Sequence, residues 1–325
     1  MTQLSIIIPV YNAEKTLSAC LQAVCAQSFV DFEVLLVNDG SNDNTGTICD
    51  DYACVDNRIK VFHKSNGGVS SARNLGMSHA NGMFMTFIDA DDTIDLHYFQ
   101  SLLDNKSYDL VVTSSLTAHA AQGEVLPNIS AVNVAEISDV LLSYFSFGFA
   151  YPWGKLYRTD IVKNHNLQFD SSLSIGEDTL FVNNYIANIK SLKTLPYVGY
   201  FYTEAKQDHL SRKVISYDKF LESLDKILPS FNALEEKYSV DLRLYRYNLI
   251  QFFLHRYMSN ISKLSLNAGA SALKTVCELS RVRETFYANI ENRKGRVQVV
   301  FDWLAQRRYY FIMTVVYKMV GKTYF

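Results

Sequence analysis

A short apolar run, Met83 to Ile88, ends in three carboxylates, Asp89, Asp91 and Asp92. Asp89 and Asp91, two residues apart, can both face one ion or one ribose. Hard oxygen ligands of this kind suit Mg²⁺ or Mn²⁺, which keep waters and share the metal with substrate phosphates. A plainer reading has Asp91, Asp92 and Asp95 capping a helix that begins near Leu96. A second acidic pair, Glu177 and Asp178, opens a run whose apolar residues Leu180, Phe181, Tyr185 and Ile186 recur at helical spacing. Carboxylates are at home at a helix start, so capping competes with catalysis there too. Tyr11 offers an aromatic face to a base, and Asp39 can accept hydrogen bonds from a base or ribose. Their ordinary readings are a surface tyrosine and a turn aspartate. In Lys64 to Asn74, Gly67 and Gly68 let the chain bend ahead of a helix N-terminus while Lys64 and Arg73 supply positive charge, the makings of an anion-handling turn. The stretch matches neither GxGxxG nor GxxxxGK[ST], which disfavours a Rossmann dinucleotide site and a P-loop.

The elements that must carry these residues alternate. Ser5 to Asn12 reads as a buried strand, Ala13 to Gln27 as helix, and Phe32 to Ser41 as a strand running into a polar turn. Thr45 to Ala53 is helical, Arg58 to Phe62 a strand, Val69 to Ala80 helical, and the strand ending at Asp89 follows. This rhythm predicts an α/β fold with a mostly parallel, doubly wound sheet, right-handed crossovers and flanking helices. The strand ends then bring Tyr11 and Asn12, Asp39 and Ser41, and Asp89 to Asp92 to one edge, where open α/β sheets hold ligands.

Composition narrows the class. A chain of 325 residues with a net charge of −2 predicts a main domain with an appendage and no attraction to nucleic acid. Five cysteines without a CxxC pair read as reduced core residues of a cytosolic protein. No basic segment followed by an apolar one opens the chain, and no apolar run approaches the ~20 residues of a membrane span.

Taken in order, Pro9-Val-Tyr11-Asn12, Val37-Asn-Asp39-Gly40-Ser41, Asn66-Gly67-Gly68-Val-Ser70-Ser-Ala-Arg73-Asn74 and Asp89-Ala90-Asp91-Asp92 resemble the ordered motifs of family 2 glycosyltransferases, inverting enzymes of GT-A fold. The resemblance implies a UDP-sugar donor held by Pro9, Tyr11, Asn12, Asp39, Ser41, Asn66, Gly67, Arg73, Asp89, Ala90 and Asp91. Asp39 would lie at the uridine. Asp89 and Asp91 would be the DxD pair that touches ribose and binds a Mn²⁺ or Mg²⁺ bridging the diphosphate, with Asp91 as the metal ligand. By the same resemblance the aspartate of the Glu-Asp pair is the general base, which gives that role to Asp178.

The acceptor is expected in the following residues. Pro152 to Arg158 resembles an acceptor-side segment of bacterial polysaccharide members, in which Trp153 either stacks on a sugar ring or is a core residue with Lys155 snorkelling. Trp153, Lys155, Glu177 and Arg212 are therefore candidates for the acceptor or the diphosphate. Tyr200-Phe-Tyr202-Thr203 resembles the family's tyrosine-rich strand, except that many relatives carry arginine where this chain has Thr203. Beyond it, His209 or Arg212 reaches the diphosphate, His209 completes the metal sphere, or His209 is a solvated loop residue.

The expected division is a catalytic domain over 1–213, with a nucleotide-binding half to 95 and an acceptor half after it, and a helical appendage over 214–325. Residues 282–325, with Arg281 counted in, carry nine Lys or Arg against three acids, a surplus that favours anionic surfaces. Tyr309 to Tyr317 is too short to span a bilayer; it lies in a membrane interface or packs against protein, on the catalytic domain or a second subunit. The implied function is transfer of a hexose or N-acetylhexosamine to a glycan or glycolipid at the cytoplasmic face of the membrane, as in capsule or O-antigen synthesis. Two rivals stand beside it. A nucleotidyltransferase would need a glycine- and lysine-rich triphosphate loop, which residues 9–16 lack. A non-catalytic glycan- or nucleotide-binding subunit would have little use for both the DxD pair and Asp178.

Overall fold

The computed structural model describes residues 2–117, 126, 128–144, 147–203, 215–261, 265–277, 310 and 313. The chain divides into two compact units, residues 1–206 with 232–240 and residues 207–231 with 241–325.

In the first unit β1 (Leu4–Val10), β2 (Phe32–Asn38) and β4 (Phe84–Phe87) have every residue buried. Strands without a polar face need cover on both sides, which is why they read as continuous apolar runs. With β3 (Ile59–His63) they pair in parallel, in the order β3-β2-β1-β4. The crossovers are α1 (Leu17–Cys25), α2 (Thr45–Val55) and α3 (Val69–His79). Winding proceeds from β1 to β2 on one side, and β4 then returns to the other side of β1. The crevice at the C-terminal ends of β1 and β4 is thus the topological switch point. α3 lies close over β1: a Cβ at Gly76 would come 2.6 Å from Ile7 Cγ2.

Past β4 the sheet becomes mixed. The elements are β5 (Thr93–Ile94), α4 (Tyr98–Leu103), β6 (Leu110–Thr117), β7 (Ile129–Ala131), α5 (Val134–Tyr144), α6 (Phe147–Ala150), β8 (Lys155–Arg158), α7 (Thr159–Asn164), α8 (Glu177–Ile186) and β9 (Leu192–Tyr202). The order continues β4-β8-β6-β9-β5, with β7 also on β9. β8 runs antiparallel to β4 and β6, β6 is parallel to β9, and β5 and β7 are antiparallel to β9. The mostly parallel arrangement expected for the sheet holds for its first four strands and again between β6 and β9, with antiparallel pairings elsewhere. Pro152 to Arg158, expected on the acceptor side, contains a central strand. Four residues carry no readable periodicity; β8 is a strand because β4 and β6 offer it open edges. The β6–β9 ladder slips at Pro196, pairing Thr113 with Leu195 and Ser114 with Val198; proline has no N–H to give a ladder.

Residues 232–240 complete this unit, with Tyr238 Oη donating to Ile186 O at 2.7 Å and Lys237 Nζ to Ala187 O and Ile189 O, both at 2.8 Å. They include the end of α9 (Tyr217–Tyr238).

The second unit is helical where it is described, with the start of α9, α10 (Arg243–Ile261) and α11 (Leu266–Cys277). The Tyr257 ring lies against Phe220 and Tyr217. Tyr310 and Met313, the two described residues of the expected interfacial segment, are both buried and so pack against protein. No described helix is long and apolar enough to cross a membrane. All five cysteines are free thiols; Cys20, Cys49 and Cys277 are buried, whereas Cys54 is exposed at the end of α2 and is not a core residue.

Candidate active site

The ends of β1 and β2 are stapled to each other. Asn12, at φ +48°, donates its N–H to Ser41 Oγ at 3.0 Å and accepts from the Asn42 N–H at 2.9 Å. Ala13 N–H donates to Thr45 Oγ1 at 2.7 Å. Pro9 is buried in register with Val37, so it shapes the strand end from within. Tyr11 stands clear with 49% exposure, leaving a ring face available to a flat ligand.

The Lys64–Asn74 turn already holds an anion, and it is Asp39. Gly67 N–H and Gly68 N–H donate to its two oxygens at 2.9 and 2.7 Å, and Lys64 Nζ to Oδ1 at 2.5 Å. The turn is thereby pinned to the end of β2, with Asn66 and Gly67 exposed at its tip.

At the end of β4, Asp89 and Asp91 are half-buried, Ala90 is buried and Asp92 is sealed off. Asp92 Oδ2 accepts from Tyr200 Oη at 2.6 Å and its Oδ1 from Thr203 N–H at 2.8 Å. Tyr200 Oη in turn accepts from Asp89 N–H at 3.2 Å. The turn carrying Asp89 and Asp91 is thus knotted to the end of β9. Burial, reinforced by Asp89 and Asp91, pushes the Asp92 carboxyl up to about 8. Asp92 is neither an open ligand nor a cap of α4; among the three aspartates of the capping reading, only Asp95 sits at the helix head, accepting from His97 N–H at 2.9 Å. Neither Asp92 nor Tyr200 was recognisable as a shaper of this site, since they lie 108 residues apart. The Tyr200–Tyr202 alternation was the one available signal.

α8 brings in the second acidic pair. Gly176 at φ +83° takes the left-handed turn into the helix, and Glu177 and Asp178 begin its first turn. Asp178 Oδ1 meets Arg73 Nη1 at 2.6 Å, and Arg73 Nη2 meets Asp89 Oδ1 at 3.0 Å. One guanidinium from α3 thus joins the end of β4 to the start of α8. Burial pushes the Asp178 carboxyl up to about 7; Arg73 opposes the rise, and Glu177 and Asp89 add to it. Burial also raises Glu177, again against the pull of Arg73. For Arg73 itself burial opposes the charge, but Asp178 and Asp89 outweigh it and hold the guanidinium protonated. Asp178 keeps 21% side-chain exposure.

The acceptor-side expectations fare differently. Trp153 is 6% exposed and stacks with Tyr151 and Tyr200, both at 4.8 Å, and with Tyr202 at 5.8 Å. Its ring is part of an aromatic core and offers no open face to a sugar. Lys155 does not snorkel: it is fully buried and donates to Tyr151 O at 2.6 Å and Trp153 O at 3.3 Å, bracing the turn before β8. Burial pulls its ammonium down to about 7. His209 and Arg212 lie outside the described residues.

Among the described residues no three His, Cys, Asp or Glu side chains gather into a metal cage. Asp89 and Asp91 bring two carboxylates to one turn, the donor set Mg²⁺ or Mn²⁺ meets where phosphate oxygens and waters fill the other positions. The residues present fit such a shared site.

Residues 5–165 match the model of glycosyl transferase family 2. The Bacillus subtilis protein EpsH is 30% identical over 262 residues, which cover 77% of this chain and 74% of EpsH. The chain belongs to glycosyltransferase family 2. The uncharacterized glycosyltransferase EpsJ of Bacillus subtilis is 33% identical over 208 residues, covering 62% of this chain and 60% of EpsJ. Among solved structures, residues 1–349 of Staphylococcus aureus TarS in complex with UDP-GlcNAc superpose with a TM-score of 0.69 at 22% identity, covering 99% of this chain and 93% of that one. At that identity the likeness shows the shared GT-A fold. Full-length TarS is a poly(ribitol-phosphate) β-N-acetylglucosaminyltransferase of which the match spans 45%. The chain thus spans less than two thirds of EpsJ and of TarS. As in other α/β sheets, this family 2 glycosyltransferase gathers its polar residues at the C-terminal ends of its parallel strands.

Proposed function

We propose that the protein is an inverting glycosyltransferase moving a hexose or N-acetylhexosamine from a UDP-sugar to a hydroxyl of a surface glycan. The observation that carries this reading is that Arg73 joins Asp178 to Asp89 at the topological switch point, although 89 residues separate the two aspartates in sequence. In this reading the uracil lies on Tyr11 beside the Asn12–Ser41 staple and the turn that Asp39 holds. The ribose meets Asp89, and Asp91 would hold Mn²⁺ or Mg²⁺ together with the diphosphate, an ion that would supply charge neutralisation to the leaving UDP. Asp178 takes the proton of the acceptor hydroxyl as that oxygen bonds to the anomeric carbon and the bond to the diphosphate oxygen breaks on the opposite face. The donor is already activated, so positioning and charge neutralisation do most of the work.

Three features support the reading: Tyr11 is open, the Asp178 carboxyl is raised toward neutrality by burial, and full-length TarS carries an N-acetylglucosaminyltransferase name. The acceptor is proposed to be a lipid-linked polymer at the cytoplasmic face of the membrane, with residues 281–325 as the contact. The test is calorimetry and thermal shift with UDP-Glc, UDP-Gal, UDP-GlcNAc, UDP-GalNAc and GDP-mannose, each with and without Mn²⁺. A ligand that binds only the folded state raises the melting temperature. One UDP-sugar is expected to stabilise the protein selectively and only with metal. No response to any of them would overturn the reading.

A further inference from the structure

The resemblance to the family assigns Arg73 to the donor, but its surroundings in the fold face the other way. Both Nη groups are spent on carboxylates, Asp178 at 2.6 Å and Asp89 at 3.0 Å, and the residue is 3% exposed. Its Nε has no partner among the described residues, and the guanidinium lies over the Phe169 ring at 5.1 Å. We infer that Arg73 is a positioning residue for the proton-accepting step, fixing the Asp178 carboxylate against the Asp89 end of β4, and that it does not bind the donor. This rests on the reading of Asp178 as the base.

The frame around the guanidinium is built for that task. Asn74, next along α3, donates to Phe169 O at 2.8 Å and accepts from Phe169 N–H at 2.9 Å. Phe169 stacks on Phe181 at 4.1 Å and 11°, and Phe181 belongs to α8, the helix that carries Asp178. α3 therefore supplies the cation, the clamp on its aromatic floor and, through that floor, a contact to the base's own helix. Asp178 is faced by Arg73 from α3, Glu177 from its own helix and Asp89 from β4, with Lys155 and Tyr157 of β8 also in its field. Lys155 donates to the carbonyls of residues 151 and 153; among the described residues, Arg73 is the cation that bridges Asp178 and Asp89. A planar fork can hold two carboxylates at a fixed separation; an ammonium is a point charge without that geometry.

The test is Arg73→Lys, which keeps the charge and loses the fork. UDP affinity is measured by calorimetry with Mn²⁺, and steady-state transfer separates kcat from the donor KM. Arg73→Lys is expected to bind UDP within about threefold of wild type while kcat falls by about a hundredfold or more, the pattern of an interaction that matters only in the transition state. If UDP affinity instead drops tenfold or more and kcat at saturating donor holds within about threefold, Arg73 is a donor ligand and the inference fails. Asn74→Ser, which removes the clamp and leaves every charge in place, serves should the lysine variant not fold. Its kcat should fall about fivefold or more at unchanged UDP affinity, and an unchanged kcat would overturn the inference. Wild-type protein that binds no UDP overturns the donor reading itself, which separates the two failures.

Discussion

Burial holds the Asp178 carboxyl near neutral pH, where the proposed base would have to work. With its carboxyl pushed up to about 7, the proton-accepting form is lost as pH falls through that value and complete above it. At saturating donor, kcat should therefore be roughly tenfold lower at pH 6 than at pH 8. A rate that stayed flat from pH 5.5 to 8 would count against Asp178 as the base. Asp178→Asn keeps the shape and a contact to Arg73 but cannot take a proton. UDP binding should persist and transfer should drop by about a hundredfold or more, read by calorimetry and product formation on the same preparation. Tyr200 acts at the same scale through its hydroxyl alone. Tyr200→Phe keeps the ring on Trp153 and strips both the acceptor for Asp89 N–H and the donor to buried Asp92. The loss of a donor to a buried oxygen should cost about 1–3 kcal/mol in urea unfolding, and Mn²⁺-dependent UDP affinity should weaken because the Asp89–Asp91 turn loses its tie to β9.

At the scale of elements, the site depends on how close α3 comes to the sheet, because α3 delivers Arg73 and Asn74. A methyl at Gly76 would meet Ile7 Cγ2 at 2.6 Å, and Ile7 is locked in β1 between β2 and β4. Gly→Ala in a helix interior gains about 1 kcal/mol in propensity, whereas overpacking a closed core costs about 1–3 kcal/mol. The clash should win, so Gly76→Ala is expected to lower the melting temperature by several degrees. A variant more stable than wild type would show that α3 has room to lift. The same helix separates structural from reactive polar residues: Asn74 and Arg73 spend their hydrogen bonds inward, while Tyr11 on the facing strand end stays open.

For the whole molecule, the charge is nearly balanced, yet the last 45 residues are basic. Tyr310 and Met313 are buried, so removing the segment would open a packed face and confound stability with binding. Changing charge alone is the cleaner test. Arg307→Gln with Arg308→Gln should reduce cosedimentation with phosphatidylglycerol vesicles by about 2 kcal/mol of attraction, roughly thirtyfold, and 0.5 M salt should abolish the difference. Unchanged cosedimentation at low salt would leave this segment to protein packing.

The continuous apolar strands, the helices between them and the polar residues closing each strand were legible in the sequence because each is a local pattern. Strand period, helix period and a carboxylate after a buried run need no knowledge of distant residues. The same locality explains why Asp39, Asp89 and Asp91 could be read as candidates from the residues alone, and Asp178 as a candidate base only through a resemblance, since a lone acidic pair at a helix start reads equally well as a cap. What tertiary structure decided was pairing. β8 became a strand because two edges waited for it, and Trp153 became core because Tyr151, Tyr200 and Tyr202 closed over it. Lys155 turned inward to carbonyls, and Arg73 met Asp89 and Asp178, 16 and 105 residues away. Long-range contacts of that kind depend on which surfaces the folded sheet brings together, and no spacing along the chain encodes them.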